Sequence, residues 1–245
     1  MLTVCSKTSS NMQEGQIKTA KGTWNYLKWG QGEQLLFALH GFARKASSFQ
    51  ALGEAFAAHF TIIAPDLPFH GKTAWKDSFD ANDLHAFITQ TLKMEQKESY
   101  SLLGYSLGGR LALGSLPLLK DRIVQLYLAA PDGLDTAYGF WVERMPLSWK
   151  RFLYKSLKNP AWLLRLARTV NCLWLIDRWT LLYLERQLGD AKRKERLFKT
   201  WYYLSNFSFS LKEVKKTIQE MDTLIHFYWG KHDQIVKGKK VSITL

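Results

Sequence analysis

Tyr100-Ser101-Leu102-Leu103-Gly104-Tyr105-Ser106-Leu107-Gly108-Gly109-Arg110 is an apolar, strand-like run that breaks into glycines around a single serine. Its centre, Gly104 to Gly108, is a Gly-x-Ser-x-Gly pattern, the sequence of a sharp strand-to-helix turn. A serine hydroxyl is a poor nucleophile unless the backbone turns sharply and lifts it towards a base. Gly104 and Gly108 permit that turn because they carry no Cβ where strand and helix crowd together. Leu107 to Leu119, with the glycine pair and Ala112, reads as the following helix, ended by Pro117 or shortly after.

Three further segments lie where the same chemistry needs them. Leu35 to Leu39 is a short buried-strand run that delivers His40-Gly41-Phe42-Ala43 into a loop. Phe60 to Ala64 leads into Pro65-Asp66-Leu67-Pro68-Phe69-His70-Gly71, and Leu224 to Trp229 leads into Gly230-Lys231-His232-Asp233-Gln234-Ile235-Val236. With these four segments in this order and spacing, the chain resembles the α/β-hydrolase superfamily over nearly its whole length. The resemblance rests on the His-Gly loop, the Asp-Leu-Pro-x-His-Gly turn, the serine elbow and the Gly-x-x-Asp-x-x-Val loop. It departs at Phe69, where the family often has glycine, and at Lys72-Thr73, which replaces a common Gly-x-Ser continuation.

Composition bounds the answer. A chain of 245 residues with 47% apolar content has the size for one substantial core plus an insertion. Two cysteines, Cys5 and Cys172, make no disulfide framework and fit a reducing compartment. Met1 to Gln16 lacks the apolar stretch of a signal peptide. Ala161 to Leu184 is the most apolar region, but Arg165, Arg168, Asp177 and Arg178 interrupt it before it reaches bilayer length. The expectation is a soluble, cytoplasmic protein with no transmembrane segment.

The net charge of +13 is unevenly placed: Asp135 to Ser210 holds 14 Lys/Arg against 6 Asp/Glu, and six of the ten tryptophans. Solvated helix faces account for such a surplus. A surface that meets an anionic substrate is the second reading, and membrane-surface contact through this basic aromatic segment is allowed but not expected. No recognition motif accompanies the charge, so nucleic acid is not expected as a partner.

Strand-like and helix-like runs alternate from residue 16 to about 134. Ile17–Ala20 and Trp24–Trp29 read as opening strands. Ala46–His59 has helical spacing, and Asp80–Lys97 reads as a helix with Asp80 as its N-cap. Ile123–Ala130 reads as a strand ending at Pro131-Asp132-Gly133. This alternation predicts an α/β fold with a mostly parallel, doubly wound sheet. From 135 to 210 strand patterning gives way to aromatic-rich helical sequence broken at Pro146 and Asn159-Pro160. The expected organisation is therefore a first core part over 1–134, a helical cap insertion over 135–210 that resembles the cap of many relatives, and a second core part over 211–245. Lys237 to Leu245 reads as the start of a helix, with the final strand of such folds absent.

The resemblance implies roles residue by residue. Ser106 is the expected nucleophile and Asp233 the expected acid, with Asp132 as a fallback acid. The backbone N–H groups of Phe42 and Leu107 are the expected oxyanion hole. Arg110 and the cap residue Trp141 are candidates for binding substrate. His40 is expected to shape its loop, and Asp66 and His70 to be mostly architectural. The expected base is the difficulty. All six histidines, His40, His59, His70, His85, His226 and His232, precede Asp233, whereas the family places its histidine some tens of residues after the acid; His70 or His85 taking that role is the alternative.

The implied activity is cleavage of an ester, thioester or similar acyl bond through an acyl-serine, impaired where the histidine is not supplied. Two alternatives stand beside it. Gly-Tyr-Ser-Leu-Gly-Gly-Arg also resembles the menaquinone-pathway succinyl-hydroxycyclohexadiene-carboxylate synthase, a lyase that eliminates pyruvate from an anionic substrate. The other is a non-catalytic relative that binds in the same pocket. The expected partner is a small acyl or anionic molecule. Neither metal nor organic cofactor is expected, because no His-Glu-x-x-His or paired-cysteine spacing occurs.

Overall fold

A computed structural model describes residues 12–133, 188–204, 207 and 209–230, with scattered single positions between 146 and 185. Trp141 and Asp233 lie outside the described residues. The chain divides into two compact units, one formed by Met1–Asp135 with Phe209–Leu245 and the other by Thr136–Ser208.

The first unit is built on one eight-stranded sheet. Its strands are β1 (Gln13–Lys18), β2 (Gly22–Trp29), β3 (Gln34–Leu39), β4 (Phe60–Pro65), β5 (Ala74–Trp75), β6 (Tyr100–Tyr105), β7 (Ile123–Ala129) and β8 (Leu224–Tyr228). They run in the order β1-β2-β4-β3-β6-β7-β8, with the two-residue β5 pairing to β2. β1 and β2 form the antiparallel start, and β2 pairs antiparallel with β4. From β4 through β3, β6 and β7 to β8 every pairing is parallel. Parallel strands need helical crossovers, and the apolar runs of β3, β4 and β6 are correspondingly buried.

The helices cover both faces. The segment expected to be helical from Ala46 opens as a 3-10 turn, Ala46–Phe49, and becomes α1 only over Gln50–Phe56. A Cβ on Gly53 would come within 2.4 Å of the Trp29 ring, so glycine is what lets α1 lie this close to the sheet. Around that contact Leu27, Trp29, Leu36, Ala38, Ile62 and Ala64 form one apolar layer. On the other face α2 (Ala81–Glu95) starts at the expected cap: Asp80 accepts from the N–H groups of Asn82 and Asp83, and the Asp83 carboxylate accepts from the Asp80 N–H. This reciprocal capping is worth about 1 kcal/mol. Leu84, Phe87, Ile88 and Leu92 face inward. Phe87 meets Trp24 at 4.7 Å between ring centroids and Phe37 at 6.0 Å, and Phe37 meets Tyr100 at 5.2 Å. Side chains of this size, buried, contribute about 2–3 kcal/mol each.

α3 (Leu107–Leu119) follows β6 and tolerates Pro117 only in its last turn. Two elements lie outside the sequence expectations: β5, and α5 (Leu211–Glu220), capped by Ser210, although Ser210-x-x-Glu213 and the spacing of Leu211, Val214 and Ile218 mark the latter. In the second unit the described residues contain α4 (Ala191–Leu204) and no strand. Asp190 opens α4 by accepting from the N–H of Arg193, and Leu197, Thr200 and Leu204 are its buried side.

Because β3, β4, β6, β7 and β8 are parallel, their carboxyl ends share one edge of the sheet. Phe42, Asp66, Ser106, Asp132 and Gly230 each follow one of these ends. In doubly wound sheets that edge is where functional groups gather.

Candidate active site

Ser106 is the single residue between β6 and α3, and it sits at φ 50, ψ −112. A non-glycine residue pays to adopt such a conformation, and it persists only where the surroundings impose it. Three backbone hydrogen bonds do so. The Ser106 N–H donates to Ala129 O at 2.9 Å, and the Ser106 carbonyl accepts from Arg110 N at 3.0 Å and Asp132 N at 3.1 Å. The turn also needs its glycines. A Cβ on Gly104 would lie 2.6 Å from Gly109 Cα, and one on Gly108 would lie 2.1 Å from Leu39 O. Serine is a favoured helix cap, yet the Ser106 side chain makes no capping bond to α3. Its hydroxyl is therefore not spent on its own helix. The first amides of α3, Leu107 among them, are left at a helix N-terminus, where negative charge is favoured.

The loop after β3 lies against this serine. A Cβ on Gly41 would sit 2.9 Å from the Tyr105 ring and 3.3 Å from Ser106 Cβ. Gly41 to Arg44 form a turn closed by the Arg44 N–H donating to Gly41 O at 3.1 Å, with Ala43 at φ 59. Phe42 is thus held in the turn that adjoins Ser106.

Two imidazoles fasten this turn. The Leu67 N–H donates to His40 Nε2 at 2.9 Å, so Nε2 carries no proton and Nδ1–H donates to Gly41 O at 2.8 Å. The Ala43 N–H likewise donates to His70 Nε2 at 3.2 Å, and His70 Nδ1–H donates to Pro68 O at 2.9 Å. Both rings are buried. Asp66 anchors the second loop. Its carboxylate accepts from Ala46 N at 2.7 Å, Lys72 N at 2.8 Å and Asn25 Nδ2 at 3.3 Å. Phe69, at φ 67, occupies a left-handed position, at the place where the resemblance implies glycine.

His40 and His70 therefore have both ring nitrogens engaged away from Ser106. His59 and His85 are exposed, and His85 lies 3.5 Å from Thr89 on α2. His226 stacks on Tyr127 within the β7–β8 pair, 5.0 Å between centroids. Among the described residues no histidine hydrogen-bonds Ser106. His232 lies outside them with Asp233.

Arg110, in the first turn of α3, is half-buried. Burial pushes its guanidinium below the ordinary value while the charge of Asp132 works the other way. The guanidinium carbon stands 5.7 Å from the Phe209 ring centroid, and a Cβ on Gly133 would come 3.1 Å from its Nη1. Asp132 itself is exposed, its backbone held to Ser106. No signal near Arg110 in the sequence points to Phe209, about a hundred residues away. Among the described residues no cluster of three or more His, Cys, Asp or Glu forms a metal site, and no helix is long and apolar enough to cross a membrane.

Comparison with known proteins agrees with this fold. The model of the alpha/beta hydrolase family matches residues 35–236, and the chain belongs to that family. It is 31% identical over 127 residues to a "Probable serine hydrolase" of Drosophila melanogaster, covering 49% of this chain and 38% of that protein. It is 40% identical over 76 residues to a "Putative 2-succinyl-6-hydroxy-2,4-cyclohexadiene-1-carboxylate synthase" of Haemophilus influenzae, covering 31% of this chain and 30% of that one. The chain thus spans well under half the length of these curated relatives. Among solved structures, a putative lipase of Acinetobacter baumannii superposes with a TM-score of 0.59 at 20% identity, covering 93% of this chain and 77% of that one. A thioesterase domain from the curacin biosynthetic pathway gives 0.58 at 16% identity, over 90% and 83%. At such identities these two structures speak for the fold alone.

Proposed function

We propose that this protein is a serine hydrolase that cleaves an ester, thioester or similar acyl bond through an acyl-Ser106 intermediate. The observation that carries this reading is the strained backbone of Ser106, held at φ 50 by three hydrogen bonds with its hydroxyl uncommitted to α3. In this reading Ser106 Oγ attacks the substrate carbonyl carbon as its proton passes to an imidazole. The N–H groups of Phe42 and Leu107 receive the oxyanion. The carbon–leaving-group bond then breaks, the leaving group takes the proton, and water releases the acid from Ser106. Asp233 is assigned to orient that imidazole, which none of the described histidines supplies. The 135–210 segment and its Trp141 remain candidates for selecting the substrate, the segment's basic composition favouring acyl or anionic molecules.

A fluorophosphonate probe tests the assignment. It should label Ser106 slowly on the 245-residue chain and faster when free imidazole is added as a substitute base. Labelling that survives Ser106→Ala overturns the nucleophile. Absence of labelling with and without imidazole points instead to a binding relative.

One observation favours a second reading, a lyase of the succinyl-hydroxycyclohexadiene-carboxylate synthase type. The chain is 40% identical over 76 residues to the Haemophilus protein of that name, and Arg110 lies one helical turn from Ser106 beside Asp132. Here Ser106 serves as a base rather than a nucleophile, and Arg110 meets the anionic substrate. Pyruvate release without a trapped acyl-Ser106 would select the lyase. A trapped acyl-enzyme selects the hydrolase.

A further inference from the structure

The loops after β3 and β4 exchange imidazoles. His40, from the first, accepts the Leu67 N–H of the second, and His70, from the second, accepts the Ala43 N–H of the first. Each ring is then tied by Nδ1–H to a carbonyl of its own loop, Gly41 O for His40 and Pro68 O for His70. The rings stand 5.2 Å apart edge to face, and the Phe42 ring packs on His70 at 5.7 Å and 90°. Every bond in this exchange requires the neutral ring protonated at Nδ1. A second proton on Nε2 would set one N–H against another and cancel the interloop bond.

We infer that His70, assisted by His40, is a positioning residue that aims the Phe42 N–H by holding Ala43 in its left-handed turn, and that the aim is lost when the imidazoles are protonated. This rests on the reading of Phe42 as an oxyanion donor. His70 touches no reacting atom in this account. It acts through Ala43, whose φ of 59 closes the Gly41–Arg44 turn. The backbone donors that reach each Nε2 make the neutral form the one that fits. Asp66, the nearest carboxylate in the second loop, spends its oxygens on Ala46 N, Lys72 N and Asn25. The Lys72 ammonium turns outward to Glu14, and Arg44 is exposed.

Backbone hydrogen exchange tests the clasp without any need for Ser106 chemistry. Protection is measured at Ala43 and Leu67, relative to an unstructured chain, between about pH 7.5 and about pH 5, the range in which histidine titrates. In the wild-type chain both should fall by roughly tenfold, the weight of one hydrogen bond. His70→Gln offers an uncharged acceptor where Nε2 stood. Ala43 should then stay protected at the lower pH while Leu67 still loses protection through His40. His70→Leu should leave Ala43 unprotected at both values. Equal Ala43 protection in wild type, His70→Gln and His70→Leu would overturn the inference, as would protection in the wild type that does not change with pH.

The fluorophosphonate rate at Ser106, with imidazole supplied, is the second readout. It should follow Ala43 protection across the three proteins. A rate that ignores His70→Leu refutes the positioning role even if the clasp itself is real. Intact protection with Ser106 unlabelled in every protein removes the acyl-serine reading instead, and with it the function given to the clasp.

Discussion

The two sides of the serine are built differently. On the β3–β4 side, the loop carrying Phe42 and the turn carrying Asp66 are joined by buried side chains that bond to backbone: His40, His70, Asp66 and Thr73. On the β7–β8 side, Asp132 is exposed, and β8 has no buried residue along its length, with Leu224 and Tyr228 more than half exposed. Besides the buried Ile123, Leu126 and Leu128 of β7, what holds this side is backbone pairing, including Ala130 N to Tyr228 O at 2.7 Å, and the half-buried Arg110 over Phe209. Buried polar groups are costly to leave unpaired, so the first side tolerates few arrangements. The second, more exposed, is the easier to rearrange. In the proposed mechanism the rigid side stabilises charge and the looser side orients the base. Electrostatic stabilisation depends on donors already in place, whereas a base must move a proton between partners.

The largest effect should come from breaking the rigid side where backbone meets backbone. Gly108→Ala places a Cβ 2.1 Å from Leu39 O, an atom fixed in β3. A clash of that depth cannot be relieved by a rotamer. The cost should be about 3–5 kcal/mol, at the extreme of single substitutions. Urea unfolding would show it as a large drop in midpoint or as failure to accumulate folded protein. A near-normal midpoint would mean the elbow is far softer than its contacts indicate.

Second is Asp66→Ala. It orphans the N–H groups of Ala46 and Lys72 and the Asn25 amide in a buried turn. Charge-assisted bonds to backbone weigh more than neutral ones, so a loss of about 2–4 kcal/mol is expected. Asp66→Asn should recover part of it, because one amide oxygen still accepts. If both variants unfold at the wild-type urea midpoint, the stitched loops are not what stiffens this side.

These contrasts also mark what the sequence could and could not reveal. The elbow was legible because two glycines flank a serine after a buried-strand run, and only close backbone approach accounts for that pairing. The sheet was legible through the same apolar runs, and α2 through Asp80 and its inward face. α1 was overestimated because Phe49, Leu52 and Phe56 repeat at helical spacing whether the first turn is 3-10 or α. β5 is two residues long, too short to show any period. The clasp could not be read at all. Histidine was visible at 40 and 70, but a tautomer is fixed by donors that folding brings from a distance of 27 residues. Arg110 was visible beside the elbow, while its burial depends on Phe209 and Gly133.

A third test compares like with like across the two sides. Gly133 has φ +90, and a Cβ there would meet two side-chain ends, Arg110 Nη1 at 3.1 Å and Phe209 Cζ at 3.2 Å. Unlike Leu39 O, both belong to side chains and need give only a few tenths of an ångström. Gly133→Ala should therefore cost chiefly the backbone strain of a left-handed non-glycine residue, about 1–2 kcal/mol. A loss as large as that of Gly108→Ala would show the β7–β8 side to be as constrained as the other and would erase the contrast.

The smallest effect should come from the ion pair that joins the end of α3 to the end of α5, just ahead of β8. Lys120 Nζ lies 2.7 Å from Glu220 Oε2, with Lys216 at 3.8 Å from the other oxygen. The hydrogen bond from Lys120 and then its charge hold the Glu220 carboxyl below its ordinary value against a small opposing effect of burial. The Glu220 bond in turn holds the Lys120 ammonium above its own. The sign follows. A carboxyl depressed by folding adds stability at pH values above its unfolded pKa and loses it as the pH falls through the lower, folded value. The raised lysine contributes below its unfolded pKa and loses that contribution only as the pH rises through the folded one. Between these limits the pair is intact, but it is solvent-exposed and screened by salt. Lys120→Ala should leave the urea midpoint at neutral pH unchanged in high salt and nearly so in low salt. The difference from wild type should vanish on acidification below the ordinary glutamate range. A salt-independent loss in Lys120→Ala would mean that this contact anchors α5 and β8 as the buried groups anchor the other side. The β7–β8 side would then owe its order to a surface pair, and the comparison would need redrawing around α5.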